Sequence, residues 1–152
     1  MSLRARINAD LKDAMRAKDS LRLSTLRLIN AAIKDRDIAL RGEGEDRELT
    51  DAEITGILTR MVKQRQDSAR AYEEGGRLEL VERERAEIAL IEEYLPRQLS
   101  ETETRAAIEA EIAALGATSV RDMGRVMAAL KSRYSGQMDF GVVGAMVKSR
   151  LT

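Results

Sequence analysis

The residues that could do chemistry in this chain are carboxylates, lysines and arginines, because the sequence contains no histidine and no cysteine. These two absences remove the commonest metal ligand, the commonest general base, disulfides and thiolate metal sites. The glutamates of residues 82–93 fall around the circumference of one predicted helix, so they do not form a carboxylate metal site. We therefore predict no catalytic residues, no metal and no cofactor.

The last part of the chain carries the clearest binding pattern. Residues 119–152 hold 6 basic and 2 acidic residues, residues 42–118 hold 10 and 19, and residues 1–41 hold 10 and 5. The net charge of zero thus hides two basic ends on either side of an acidic middle. Basic patches can meet a polyanion, but charges on long helices are more often solvated faces, and charge alone leaves both interpretations open.

Two glycines near these basic residues also point to a contact surface. Gly124 and Gly144 lie within predicted helices, where glycine costs about 1 kcal/mol relative to alanine. Either close helix packing or the close approach of a partner backbone would compensate for that cost. Gly124, Ala128 and Lys131 share one face and form a smooth strip that ends in a cation, and both explanations of this strip remain open.

The elements that must position these residues are predicted to be helices. The chain has one proline and only 3% aromatic residues, and it is rich in the side chains that lose least freedom in a helix. Capping boxes begin helices after Thr50 and Ser100, while Gly75 and Pro96 interrupt the apolar periodicity. We predict an all-α protein, with a four-helix unit containing a long helical hairpin in residues 1–97 and a three-helix domain in residues 98–152.

Some details of the helices follow from the same patterns. Ser20 is predicted to cap the second helix, and Ile38 to lie on its apolar face. The fourth helix is predicted to continue to Leu95. Residues 63–74 are polar on nearly all sides, which is typical either of a solvated helix with i,i+4 ion pairs or of a helix that contacts a partner.

The order and spacing of four stretches resemble the YqeY-like proteins, whose C-terminal module is shared with the tail of GatB, the B subunit of the tRNA-dependent amidotransferase. The stretches are MGRVMAALK at residues 123–131, GQMD at 136–139, LRLINAAIK at 26–34 and EEYLP at 92–96. The resemblance covers essentially the whole chain. It implies an all-helical protein with a distinct three-helix C-terminal module, which in the amidotransferase helps to hold tRNA.

The resemblance favours a non-catalytic protein of translation that binds tRNA or associates with an amidotransferase. The enzymatic label of the family, a carbon-nitrogen ligase with glutamine as amido donor, belongs to catalytic domains that have no counterpart in these residues. The expected partners are tRNA and amidotransferase subunits or a synthetase. The predicted RNA contacts are phosphate ligands, a flanking cation and glycines that permit close approach: Lys131, Arg133 and Lys148; Arg125; Gly124 and Gly136.

Two other functions remain open at this point. One is a helical adaptor without any nucleic-acid role, which docks a protein partner through residues 63–74. The other, an autonomous amidotransferase, has little support because the chain lacks nucleophile machinery and a phosphate-binding glycine loop. No apolar run approaches a bilayer span and residues 1–6 lack the core of a signal peptide, so we predict a cytoplasmic protein with no membrane partner.

Overall fold

The computed structural model describes all 152 residues, which form seven α-helices, a 3-10 turn at Val120–Asp122 and no strand. The prediction of an all-α fold is confirmed. The helices are α1 (Leu3–Ala17), α2 (Ser20–Gly42), α3 (Asp51–Glu74), α4 (Leu78–Glu92), α5 (Glu101–Leu115), α6 (Met123–Arg133) and α7 (Phe140–Leu151).

Contacts group the chain into two units, an N-terminal unit at Met1–Leu95 and a C-terminal unit at Pro96–Thr152. The N-terminal unit holds α1 to α4, and the C-terminal unit holds α5 to α7. Independent folding of the two predicted domains, 1–97 and 98–152, stays a prediction.

The predicted capping box at the start of α3 is present. The Thr50 hydroxyl accepts a hydrogen bond from the Glu53 amide at 3.2 Å, and the Glu53 carboxylate accepts one from the Thr50 amide at 3.1 Å. Hydrogen bonds from the Arg47 guanidinium and from Thr50 hold the pKa of Glu53 at about 2. Two of the free N–H groups at this helix end are thus satisfied by side chains that the sequence places beside them.

Two helix ends differ from the sequence prediction. Asp19, and not Ser20, caps α2, because its carboxylate accepts a hydrogen bond from an amide of the first turn at 3.2 Å. Helix α4 ends at Glu92 and does not continue to Leu95. Residues 93–95 form turn-type hydrogen bonds instead. Leu95 precedes Pro96, and the helical conformation is unfavourable for a residue that precedes proline.

The core of the N-terminal unit combines the apolar faces of its four helices. Helices α3 and α4 pack together most extensively, and α2 contacts the other three. Ile38 was predicted to join this core but is 65% exposed, because it lies on the side of α2 opposite to Ile33 and Leu40. The buried core residues are Ile7, Ala14, Leu26, Ile29, Ile33, Leu40, Leu49, Ile54, Leu58, Met61, Val62, Ile91 and Tyr94.

Tyr94 fastens the end of this unit to α1. Its phenol donates a hydrogen bond to the Asp10 carboxylate at 2.6 Å, and the Arg6 guanidinium lies 4.8 Å from the centre of its ring. Burial and the Asp10 carboxylate raise the pKa of Tyr94 well above its usual range. The phenol therefore stays protonated and keeps donating this bond, and Arg6 adds a second tie by donating to the Glu93 carbonyl at 3.1 Å.

Residues 63–74 are not solvated on all sides. Arg65 Nε donates to Glu87 Oε2 on α4 at 2.9 Å, and the two side chains are only 14% and 8% exposed. Ala69, one turn further along α3, is buried. One side of this segment therefore packs within the N-terminal unit, and only the other side remains for a partner.

The C-terminal unit begins with a second capping box. The Ser100 hydroxyl accepts from the Glu103 amide at 3.1 Å, and the Glu103 carboxylate accepts from the Ser100 amide at 3.1 Å. Gly116, with a φ of +63°, ends α5 in the left-handed conformation that favours glycine. The three helices share one core, which consists of Ala107, Ile108, Ile112, Ala117, Val126, Leu130, Met138, Val143, Val147 and Leu151.

Limited proteolysis tests the division into two units. With a protease of broad specificity, we expect the first cuts at residues 95–99 or in the exposed loop at residues 42–46, since both stretches connect successive helices. Mass spectrometry of the early fragments would locate the cuts. A first cut inside residues 119–150 would show instead that the C-terminal unit is not an ordered body.

Candidate nucleic-acid interface

The start of α6 is organised by one carboxylate. Asp122 accepts hydrogen bonds from the Thr118 amide at 2.9 Å and the Ser119 amide at 3.3 Å, and Arg125 donates to it at 2.7 Å. The Thr118 amide, the Arg125 guanidinium and the Ser119 amide together lower the pKa of Asp122 to about 2. Arg125, predicted to flank an RNA site, is therefore held against a carboxylate that stays ionised.

Arg133 is also paired. Its Nε lies 3.5 Å from Glu111 Oε1 on α5, and the Glu111 side chain is only 9% exposed while that of Arg133 is 67% exposed. Arg133 thus neutralises a largely buried carboxylate and can offer a phosphate only the solvent side of its guanidinium. Arg150 is paired as well, because its guanidinium donates to Glu109 of α5, but both of these side chains are about half exposed.

Three cations of the unit remain unpaired. Lys131 lies in the last turn of α6 and Lys148 in the last turn of α7. Arg121 lies in the 3-10 turn that precedes α6. All three are exposed, and none of their side chains makes a hydrogen bond or ion pair within the chain. They are the basic groups that can bind an anion without first giving up a partner.

The strip of small residues on α6 faces solvent. Gly124, Ala128 and Lys131 are all exposed, and a Cβ built on Gly124 has no atom within 4 Å. Packing within the chain therefore does not account for Gly124. Gly144 differs, because a Cβ there would lie 3.7 Å from the Met127 methyl group, an ordinary packing distance on the inner side of α7.

Gly136 lies in a turn that is already used within the unit. Its φ is +77°, which glycine adopts without strain. Its carbonyl accepts from the Gln98 side chain, and the neighbouring Gln137 side chain donates to the Arg97 carbonyl at 3.0 Å. Gly136 therefore helps to anchor the segment before α5, which leaves less of its backbone open to a ligand.

A groove of about 720 Å³ lies along α5 and α7. Ile108, Val142 and Met146 give it an apolar wall, and Arg105 and Arg150 stand beside them. The unpaired Lys131, Lys148 and Arg121 do not line it. The cations that are open to phosphate and the apolar groove are thus separate surfaces of the C-terminal unit.

The structure brings the predicted residues together only in part. Lys131 and Arg133 share the last turn of α6, but Arg125 lies in the first turn and its charge is taken by Asp122. No group of three or more carboxylates that could hold a metal ion is assembled. Arg121 was absent from the predicted set, although the sequence places it in the basic stretch of residues 119–152.

Comparison of the sequence with models of protein families identifies the family of this chain. The family described as Yqey-like protein matches residues 4–151, which is nearly the whole chain. The chain belongs to the YqeY-like family. The expectation from the four sequence stretches is therefore confirmed.

Relatives of this YqeY-like protein include several yeast proteins named "Altered inheritance of mitochondria protein 41, mitochondrial". The chain is 36% identical over 91 residues to that of Lachancea thermotolerans, a match that covers 60% of this chain and 46% of the relative. It is 34% identical over 90 residues to that of Kluyveromyces lactis, a match that covers 59% of this chain and 46% of the relative. It is 32% identical over 89 residues to that of Saccharomyces cerevisiae strain YJM789, a match that covers 59% of this chain and 46% of the relative. The matched part is thus less than half of each yeast protein.

The prediction of a cytoplasmic location is wrong by this comparison, because the relatives are named as mitochondrial proteins. That prediction depended on hydropathy, which separates membrane spans from other segments but does not distinguish one aqueous compartment from another. None of the helices is both long and apolar enough to cross a membrane.

Proposed function

We propose that this YqeY-like protein is a non-catalytic tRNA-binding protein whose C-terminal unit contacts the phosphate backbone. The observation that carries the proposal is that Arg121, Lys131 and Lys148 are exposed and unpaired, whereas the other arginines of residues 119–152 are held by carboxylates. An unpaired cation gains the full benefit of counterion release when it meets a phosphate. Arg125 and Arg133 then lie beside these contacts as weaker, already paired cations.

The exposed strip on α6 supports the same proposal. Gly124 and Ala128 leave little side chain between the α6 backbone and an approaching ligand, and Lys131 stands at the end of the strip. A smooth surface next to a cation suits a sugar-phosphate backbone, which is recognised by shape and charge. An amidotransferase complex or a synthetase would meet this protein through the tRNA that they share.

The rival function, an adaptor that docks a partner through residues 63–74, has less support. Arg65 and Ala69 of that segment are engaged within the N-terminal unit. The segment offers a partner only one polar side, whose exposed ion pairs and hydrogen bonds stabilise a contact weakly.

A salt series with labelled tRNA tests the proposal. Three phosphate contacts predict that the logarithm of the association constant falls with the logarithm of salt concentration at a slope of about −2 to −3. The variant in which Arg121, Lys131 and Lys148 are replaced by Gln is expected to bind more weakly and to lose most of this slope. Arg133 is left intact, because its removal would strand the Glu111 carboxylate.

The matched control removes three other exposed, unpaired cations, namely Lys12, Lys18 and Arg70 of the N-terminal unit, in the same way. Its affinity and salt slope should stay close to those of the parent. If both variants behave alike, tRNA binding is not located on the C-terminal unit. If the parent itself does not bind below about 100 μM at physiological salt, where non-specific binding is normally seen, the tRNA proposal fails.

A further inference from the structure

The outer side of α2 carries a stripe of exposed side chains, apolar except for Asp35, that no other helix of the N-terminal unit covers. Leu21, Leu28 and Ile38 are 38%, 45% and 65% exposed, and Ala31 between them is exposed as well. Their spacings of seven, three and seven residues place them along one side of a straight helix. The opposite side of α2 carries Leu26, Ile29, Ile33 and Leu40 into the core. Helix α2 therefore has two apolar sides, of which the fold uses one.

A basic ridge runs beside the stripe. Arg27, Lys34 and Arg41 recur every seven residues and are all exposed. The side chains of Arg27 and Lys34 make no ion pair or hydrogen bond, and that of Arg41 acts on the Asp37 carboxylate, four residues away, only through its charge. Each step of seven residues is about 10 Å along the axis, so the ridge follows two thirds of the 23-residue helix. No contact of these three side chains indicates a structural role for them.

We propose that this face of α2 is a docking surface for an amphipathic helix of a partner protein whose apolar side is flanked by carboxylates. Leu21, Leu28, Ala31 and Ile38 receive the apolar side of the partner, as in helix-to-helix recognition with anchors at i, i+3 and i+7 spacings. Arg27, Lys34 and Arg41 pair with its carboxylates at the edge of the contact. The proposal is independent of tRNA binding by the C-terminal unit.

Charge distribution favours this occupant over an antiparallel second copy of the chain. Antiparallel pairing of two α2 helices through the stripe would bring each basic ridge against its own copy, and like charges in contact are unfavourable. A nucleic acid would satisfy the cations but would gain nothing from the aliphatic stripe.

Fluorescence anisotropy with two labelled peptides tests the proposal on the full chain. Both are synthetic helices of the length of α2 with leucines in a heptad stripe; one carries glutamates beside the stripe and the other carries lysines. We expect the glutamate peptide to bind at least about tenfold more tightly than the lysine peptide. Leu28→Gln with Ile38→Gln should weaken it by about tenfold or more, and Arg27→Glu with Lys34→Glu and Arg41→Glu should reverse the preference.

The matched control is Met15→Gln with Lys12→Glu on α1, which also removes an exposed apolar side chain and a nearby cation; it should bind the glutamate peptide as the parent does. Circular dichroism checks that every variant keeps its helices. Equal binding of the two peptides, or no binding of either, overturns the proposal. So does an effect of the α2 substitutions on binding to phosphatidylglycerol vesicles or tRNA without any effect on the peptide.

Discussion

Replacing Leu130 by alanine is expected to unfold the C-terminal unit under conditions where the N-terminal unit stays folded. Leu130 is fully buried at the centre of the core that α5, α6 and α7 share. Leucine-to-alanine changes at such sites cost about 3 to 5 kcal/mol, whereas a unit of this size has a stability of roughly 3 to 8 kcal/mol. The loss is therefore comparable with the whole stability of the unit.

Thermal unfolding followed by circular dichroism and by methyl NMR signals of the two cores would measure this effect. The control is Val142→Ala on α7, because Val142 is 56% exposed and its truncation should change stability by less than about 0.5 kcal/mol. A Leu130→Ala protein that unfolds in one transition at the parent's midpoint would contradict the assignment of this core. If the unit unfolds as expected, tRNA binding through it should be lost in parallel.

Removing the Arg65 side chain should destabilise the N-terminal unit by about 2 to 4 kcal/mol. Arg65→Ala leaves the Glu87 carboxylate, 8% exposed, without its 2.9 Å partner. Arg83, 3.5 Å from Glu87 and 66% exposed, compensates in part. The cost arises mainly from the buried charge that remains, and not from the value of the ion pair itself.

Urea denaturation of four proteins separates these contributions. The double variant Arg65→Met with Glu87→Leu removes both charges and should recover most of the lost stability, because an apolar pair of similar volume replaces the ions. Arg70→Ala, on the exposed side of α3, should be nearly neutral. If Arg65→Ala lowers the free energy of unfolding no more than Arg70→Ala does, Arg65 does not stabilise the Glu87 carboxylate as proposed.

Ion pairs with carboxylates reduce the number of basic residues in the C-terminal unit that are available to bind phosphate. Residues 119–152 form the more basic part of that unit, yet α5 contributes Glu109 and Glu111, which bind Arg150 and Arg133. The number of cations open to a phosphate is therefore smaller than the sequence indicates. The salt slope of tRNA binding reports this number directly, which makes it a more informative measurement than affinity alone.

The helices and the family of this protein could be recognised from its amino-acid sequence. Capping boxes at Thr50 and Ser100, the glycine that ends α5 and the apolar periodicities all act over a few residues, so they are visible in a linear chain. The same locality explains the small errors, such as the cap of α2, where Asp19 and Ser20 are both good capping residues. Kinship could be recognised because it depends on the order and spacing of short stretches.

Which charged and apolar side chains are available to a partner depends on how the helices pack, and local sequence patterns do not show it. The partner of Arg133 lies 22 residues away and that of Arg65 also 22 residues away on a neighbouring helix, and no local pattern predicts such pairs. Whether Ile38 faces the core or solvent depends likewise on which sides of α2 its neighbours cover. Caps and apolar periodicity indicate where helices begin and end, whereas exposure and ion pairing depend on how the helices pack.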